Sequence, residues 1–365
     1  MTLQPALPED IENASAEEIF ARIIIAKKNL SKDVAILGHH YQRDDVIVHA
    51  DYIGDSLKLA KVARDLPKTP YIIFCGVHFM AETADMLISD EQKVSLPDLR
   101  AGCDMADMAS ADDVLESFDA LDKAGIKNIL PITYINSSAA LKALVGERNG
   151  IICTSSNAQK IIKWALERDQ HVYFFPDQHL GRNIAKSLGL SPESDMCLWN
   201  PKDEFGGQSP DILKSKKVWL WQGHCPVHAL FSVHQIKTLK AVDPDTHVIV
   251  HPECAMEVVD MADSFGSTDY IIKAVSQGKP GSKWAVGTEK NLVERLARQY
   301  PDRSIVSLNP FTCVCGTMNR ISAKNLLWVL EGLSQKNILF NKIKVDLTTK
   351  KSALLALNRM LEMSV

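Results

Sequence analysis

The amino-acid sequence predicts an α/β fold made of three similar units with parallel sheets. Short apolar runs rich in valine and isoleucine alternate with amphipathic stretches, a pattern typical of parallel strands joined by crossover helices. Runs such as YIIF, VYFF and HVIV are apolar at every position, as expected of strands that are buried on both faces. The order of these motifs repeats three times, and each pass along the chain ends on a cysteine.

The spacing of polar residues supports this repeat. In the first pass, Ser56 follows the strand-end His39 by 17 positions and Cys103 follows it by 64. In the third pass, Thr268 and Cys315 follow His251 by the same two intervals. The middle pass is longer, with Tyr134, Ser155 and Cys225. We attribute most of its excess to an inserted loop near residues 187–215, rich in proline, serine and aspartate. Any α/β chain shows some self-similarity, but equal outer spacings favour a true repeat.

The repeat predicts three units and one shared site. The first unit spans 20–110 and is completed by C-terminal helices within 316–365, the second spans 111–225, and the third spans 226–315. A length of 365 residues suits two or three such units. Three equivalent sets of polar groups and thiols predict a single site at a pseudo-threefold centre.

Composition narrows the class of protein. The 41 basic and 45 acidic residues nearly balance, which predicts no nucleic-acid partner. The apolar runs are of strand length, which predicts no membrane span. The N-terminus lacks a basic region followed by a long apolar one, so we expect a cytoplasmic protein. In that reducing compartment the eight cysteines are metal ligands, nucleophiles or small core residues.

Polar residues with chemical potential cluster after the strands, where α/β proteins place their sites. Ser56, Ser155 and Thr268 are each expected in the first turn of a helix. There a hydroxyl and backbone N–H groups can bind an anion, although simple capping would explain the same residues. His39 follows a buried strand, and His251 lies two positions before Glu253, which makes them candidates for proton transfer.

The cysteines divide by position in the sequence. Cys75 and Cys153 lie in apolar strands and are expected to be small core residues. Three others close the repeats and could together bind Zn²⁺ or an iron–sulfur cluster: Cys103, Cys225 and Cys315. Cys313 competes for the third place, and the 64-residue spacing selects Cys315. The segment GHCPVH also allows a zinc site through Cys225 and His228.

Many segments resemble the signature segments of the quinolinate synthase family, the NadA-type enzymes of de novo NAD biosynthesis. They follow one another from about residue 30 to 330 and include GHHYQRDDVI, YINSSAALKA, CTSSNA, FPDQHLGRN, WQGHCPVH, HPEC, GSTDYI and CGTMNRI. The resemblance implies three α/β/α domains around a pseudo-threefold axis. It also implies a transferase that condenses iminoaspartate with dihydroxyacetone phosphate to quinolinate, releasing phosphate and water.

The resemblance also implies residue roles. A [4Fe–4S] cluster with one open iron acting as a Lewis acid would be held by Cys103, Cys225 and Cys315. Tyr41 matches the catalytic tyrosine, and proton transfers would also use His39, His251 and Glu253. The substrate contacts would be His39, Ser56, Tyr134, Asn136, Ser155, His251, Glu253 and Thr268. His228 matches a histidine near the second cysteine, without an assigned role.

Two other functions stay open at this point. A zinc-dependent hydrolase would use Cys225 and His228, and an iron–sulfur redox sensor would use the cysteines without catalysis. Neither explains the ring of serine, tyrosine, histidine and glutamate residues at the strand ends. If the chain is a quinolinate synthase, we expect L-aspartate oxidase or dehydrogenase as a partner that supplies iminoaspartate.

Overall fold

The computed structural model describes residues 4–66, 69–168, 170–311 and 314–364. Cys313 lies outside these ranges. Two compact units form: Met1–Cys103 with Val314–Asp346, and Asp104–Cys313 with Leu347–Val365. Within the described ranges, no helix combines the length and apolar character needed to cross a membrane.

The strands follow the apolar runs of the sequence. They are β1 (Val34–His39), β2 (Tyr52–Gly54), β3 (Tyr71–Cys75), β4 (Lys93–Ser95), β5 (Ile129–Tyr134), β6 (Ile151–Cys153), β7 (His171–Phe175), β8 (Met196–Trp199), β9 (Val218–Trp221), β10 (His247–Val250), β11 (Ser264–Phe265), β12 (Lys283–Gly287), β13 (Ser304–Ser307) and β14 (Lys342–Ile343).

The α-helices occupy the amphipathic stretches between the strands. They are α1 (Glu9–Glu12), α2 (Ala16–Leu30), α3 (Asp44–Ile47), α4 (Ser56–Asp65), α5 (His78–Leu87), α6 (Asp104–Asp107), α7 (Ala111–Lys123), α8 (Ala139–Glu147), α9 (Ala158–Leu166), α10 (Gln178–Ser187), α11 (Pro192–Asp195), α12 (Pro210–Ser215), α13 (Val233–Val242), α14 (Met256–Met261), α15 (Thr268–Ser276), α16 (Lys290–Gln299), α17 (Ala323–Lys336) and α18 (Leu347–Met363).

The three sheets share the order of their first three strands. The first unit contains β14-β4-β3-β1-β2, and the second contains β6-β5-β7-β9-β8 and β11-β10-β12-β13. In each sheet one strand lies between the next two strands of the chain, and these neighbours are parallel: β1, β5 and β10. Helices flank the sheets, which confirms the predicted α/β fold. The pseudo-threefold axis and the division into three domains stay predictions.

Burial explains why these segments are strands. All six residues of β1 are buried, and its pairing with β3 runs from Val34 beside Tyr71 to Gly38 beside Cys75. In the second unit, Tyr173 is fully buried and its ring lies 4.3 Å from that of Phe175 and 5.6 Å from that of Trp219. Such packed apolar strands hold the polar loops that follow them at fixed positions.

The expectation of a loop at residues 187–215 is wrong. This segment forms α11, β8 and α12, and β8 pairs in parallel with β9 from Met196 beside Val218 to Trp199 beside Trp221. Trp199 is buried, with its ring 5.4 Å from the ring of Tyr173. The insertion therefore covers the edge of the sheet, which a short apolar run between turn residues does not reveal.

The C-terminal segment divides between the two units, whereas we expected all of it to pack on the first. There α17 packs on α2, where Arg22 pairs with Glu331 at 2.7 Å, and β14 pairs with β4. The last helix, α18, instead packs on α8 and β6 of the second unit. Gly146 makes this possible, because a Cβ atom there would lie 2.0 Å from the carbonyl oxygen of Ser352. An amphipathic pattern does not say which surface a helix covers.

Candidate active site

The three cysteines that close the repeats share a local context. Each lies seven positions before a serine that caps the next long helix. The side chain of that serine accepts the backbone N–H of the residue three positions further on. These pairs are Cys103 with Ser110, Cys225 with Ser232, and Cys315 with Ser322. Cys313 does not have this spacing, so the caps favour Cys315 as the equivalent residue, as the 64-residue spacing does.

Burial separates these cysteines from others. Cys75, Cys153 and Cys254 are fully buried, whereas the three repeat-closing cysteines are half-buried. Burial raises the pKa of the Cys75 thiol to about 12 and also raises that of Cys153. Because metal ligands are thiolates, these two strand residues are poor candidates for a cluster.

In the first unit, the end of β1 forms a compact turn around His39. The backbone N–H of Tyr41 donates to Nδ1 of His39 at 3.2 Å, and the two rings meet edge to face with centroids 4.8 Å apart. We therefore assign the ring proton of a neutral His39 to Nε2, which is then a donor. The loop after β10 repeats this turn, since the N–H of Glu253 donates to Nδ1 of His251 at 3.4 Å.

The hydroxyls of Ser56 and Thr268 are not the caps of their helices. They are the first residues of α4 and α15, and the residue before each one is the cap. The side chain of Asp55 accepts from the N–H of Lys58, and that of Ser267 accepts from Tyr270. Capping therefore does not account for Ser56 and Thr268, which leaves anion binding as the stronger interpretation.

Ser155 departs from the predicted position. The helix α9 begins at Ala158 with Asn157 before it, so Ser155 lies in the preceding turn and not in the first turn of the helix. Asn157 organises this turn, because its Oδ1 accepts the backbone N–H of Thr154 at 2.6 Å. Asn136, in the loop after β5, has a buried side-chain oxygen without a hydrogen-bond partner among the described residues. Such an orphaned acceptor is typical of a ligand site.

The second unit gathers four of the predicted residues around Glu253, which is buried. Nδ1 of His228 lies 2.8 Å from Oε2 of Glu253, and Nδ1 of His251 lies 3.9 Å from Oε1. The rings of His228 and His251 stack with centroids 4.6 Å apart. Tyr134 donates a side-chain hydrogen bond to the same carboxylate. The donor atoms of Cys225, His228 and Glu253 all lie within 4.8 Å of one another.

These contacts set the charges of the cluster. Burial disfavours the carboxylate of Glu253, but the neighbouring histidines and the hydrogen bonds from His228 and Tyr134 outweigh it and lower its pKa to about 2. Burial lowers the pKa of His251 to about 3, against the opposing effect of Glu253. At neutral pH the Glu253 carboxylate is thus ionised and His251 is neutral.

Sequence reasoning missed Asp177, which precedes α10, and Asn183, which lies within it. Asp177 caps this helix, since its Oδ1 accepts the N–H groups of His179 at 2.7 Å and Leu180 at 2.9 Å. Burial and the charge of Glu253 raise the pKa of Asp177 well above its ordinary value, although backbone N–H groups oppose the shift, that of Cys225 among them. The segment FPDQHLGRN was recognised as a signature, but no residue in it was assigned a role.

Known proteins match the chain over nearly its whole length. A family profile described as quinolinate synthetase A protein (NadA) matches residues 21–362. Quinolinate synthase of Corynebacterium glutamicum is 53% identical over 359 residues, covering 98% of this chain and 91% of the relative. That of Bacillus licheniformis is 51% identical over 358 residues, 97% and 95% of the two chains. That of Listeria innocua is 49% identical over 364 residues, 99% and 98%.

Matches of this identity and coverage establish the family, and they agree with the resemblance of the strand-end segments. The chain belongs to the quinolinate synthase (NadA) family.

Proposed function

We propose that this protein is a transferase that condenses iminoaspartate with dihydroxyacetone phosphate to quinolinate, releasing phosphate and water. The observation that carries the proposal is the buried cluster around Glu253 beside Cys225, in a chain about half identical to proteins named quinolinate synthase. Bond formation, isomerisation and ring closure each require protons to move at defined atoms. A carboxylate, two imidazoles and a phenol held at fixed distances supply groups for that work.

The residues divide the work by chemistry. Tyr41, His39, His251 and Glu253 are the proposed proton-transfer residues: Nε2 of the neutral His39 and His251 offers a hydrogen-bond donor, the Glu253 carboxylate an acceptor, and Tyr41 a hydroxyl. The two carboxylates of iminoaspartate and the phosphate of dihydroxyacetone phosphate need hydroxyl, amide and backbone N–H donors. The side chains proposed to bind them are Ser56, Tyr134, Asn136, Ser155 and Thr268.

We propose that Cys103, Cys225 and Cys315 hold a [4Fe–4S] cluster. Their shared seven-residue context and their half-buried positions support this set, because three equivalent thiols leave one iron without a protein ligand. When bound, such a cluster supplies a Lewis acid that can polarise a substrate oxygen. Cys225 also lies beside Glu253, which brings a proton acceptor close to this ligand.

The test is anaerobic purification followed by absorption spectroscopy and an assay of quinolinate. Alanine at each of the three cysteines should remove the brown colour and the activity. Cys75→Ala is the matched control, because this thiol is buried in β3, and it should leave both unchanged. A coloured protein that forms no quinolinate would favour an iron–sulfur redox sensor instead.

A zinc hydrolase is the competing function, because Cys225, His228 and Glu253 could together offer three ligand atoms. Nδ1 of His228 lies 2.8 Å from Oε2 of Glu253, and Nε2 lies 3.1 Å from the hydroxyl of Thr288. Zinc at Nδ1 would have to bind Glu253 as well or displace it. A colourless protein that contains one zinc ion per chain would contradict the synthase proposal.

The chemistry of the first substrate also bears on partners. An imine such as iminoaspartate hydrolyses in water, so its supply by a neighbouring enzyme limits its loss. We propose L-aspartate oxidase or dehydrogenase as that source. Adding either enzyme with aspartate and dihydroxyacetone phosphate should support quinolinate formation by this protein.

A further inference from the structure

The loop that carries Glu253 is held by a side chain from a different part of the second unit. Asn183 lies in α10, between β7 and β8, and is buried with 3% of its surface exposed. Its Nδ2 donates to the carbonyl oxygen of Pro252 at 2.9 Å and to that of Cys254 at 2.8 Å. Those two carbonyls flank Glu253, so one amide group fixes the backbone on both sides of this residue.

The geometry uses the full donor capacity of the asparagine. A side-chain amide has two N–H bonds, and here each one faces a backbone carbonyl. The other end of the amide gains nothing, since Oδ1 of Asn183 is buried without a hydrogen-bond partner among the described residues. An orphaned buried acceptor destabilises a fold. The two donors to the Glu253 loop are thus the evident reason for an asparagine here.

The same loop needs to be placed accurately. The carboxylate of Glu253 lies 2.8 Å from His228 and within 4.8 Å of the Cys225 sulfur, and these two residues follow β9 in the neighbouring sheet. Glu253 itself follows β10. A contact that joins α10 to residues 252–254 therefore helps to hold the ends of two sheets of the second unit at the distance that this cluster requires.

We propose that Asn183 is a positioning residue that acts through Glu253, and that it sets the place of the Glu253 carboxylate in the reaction. This role rests on the function proposed above. A displaced catalytic group loses rate with little loss of substrate affinity, because the misalignment is felt mainly in the transition state. The hydrogen bonds of Asn183 go to the backbone on both sides of Glu253 and not to its carboxylate.

The test is a double-mutant cycle between Asn183→Leu and Glu253→Gln. Leucine keeps the branched arrangement of four side-chain heavy atoms and removes both donors. We expect N183L to lower kcat by about 10- to 100-fold with a much smaller change in KM, as misplacement of a catalytic group does. In the E253Q background the same change should cost less than about twofold, because a residue that acts through Glu253 has nothing left to position.

Two controls separate positioning from general damage. Lys186→Ala removes another contact from α10, an exposed pair with Asp260 of α14 at 2.5 Å, and should leave kcat unchanged. The dissociation constant of quinolinate, measured by calorimetry in the four proteins of the cycle, gives a readout that needs no turnover. It should show the same lack of additivity.

Three results would overturn the role. The effects of N183L and E253Q could be fully additive in both readouts, N183L could keep the kcat of the wild type, or K186A could lose as much kcat as N183L does. If N183L does not fold, Asn183→Ser, a smaller side chain with a single donor, takes its place in the same cycle with the same criteria. A wild-type protein that neither forms nor binds quinolinate removes the proposed function, and this role with it. An active wild type with an additive cycle refutes the positioning role alone.

Discussion

The buried pair between His228 and Glu253 gives the sharpest prediction about stability. His228→Leu removes the partner of a carboxylate that is 4% exposed and lies 2.8 Å away. The variant leaves that charge with the hydrogen bond from Tyr134 but without its contact to His228. Losing a hydrogen-bond partner of a buried charged group typically costs about 1.5–3 kcal/mol, so we expect a loss of that order in the unfolding free energy at neutral pH.

The dependence on pH follows from the sign of the pKa shift. In the wild type, the pKa of Glu253 is lowered from 4.5 to about 2, so this group adds stability above pH 4.5 and the contribution is lost as pH falls towards 2. Without His228, its lowering effects on Glu253 are lost, so the pKa of Glu253 rises relative to that in the wild type. The variant is then penalised as pH rises, so its deficit should be smaller at about pH 4 than at about pH 7.

The assay is urea unfolding followed by tryptophan fluorescence. It reports the second unit well, because Trp164, Trp199, Trp219, Trp221 and Trp284 all lie there. Lys186→Ala is the matched control: it breaks a salt bridge whose partners are 37% and 44% exposed and should cost about 1 kcal/mol or less. A deficit for H228L below that of the control, or one that stays constant between the two pH values, would refute the reasoning.

Three further predictions concern single positions. Ser56→Ala should leave Tm nearly unchanged but lower kcat/KM by roughly ten- to a hundredfold, because a hydrogen bond to a charged substrate is lost. Asp55→Ala should instead cost about 1 kcal/mol of stability, because it removes the helix cap. The reverse pattern would contradict the anion site. Gly146→Ala should destabilise the second unit by about 1–3 kcal/mol, because the new Cβ meets the carbonyl of Ser352, and a wild-type Tm would disprove the close approach. Tyr41→Phe should keep the fold but lose about 10²–10⁴ in turnover, and wild-type turnover would exclude it as an acid–base group.

Local sequence predicted the strands and the residues that follow them. Segments that are apolar along their whole length are typical of strands covered on both faces, which predicted β3, β7 and β10 as buried strands. A strand of known length then fixes where the next polar residue emerges. His39 and His251 could for this reason be compared from spacing alone, and their backbone turns match.

Local patterns also contained a signal that was overlooked. The seven positions from each repeat-closing cysteine to a capping serine are visible in the sequence, at Cys103, Cys225 and Cys315. Only the helix starts show which serines are caps. The same reason explains the ambiguity at Ser56 and Thr268, because a hydroxyl at a cap and one at the next position look alike until the helix boundary is known.

What the tertiary structure alone decided depends on contacts between distant parts of the chain. The sequence does not show that His228 pairs with Glu253, that Asn183 reaches the carbonyls around Glu253, or that α18 covers α8. Each contact depends on which surfaces meet when the sheets pack, and the pairing energy of two buried groups has no local counterpart in either segment. Neighbouring residues determine which segments form strands, whereas the charge and the position of Glu253 depend on separate strands that end side by side.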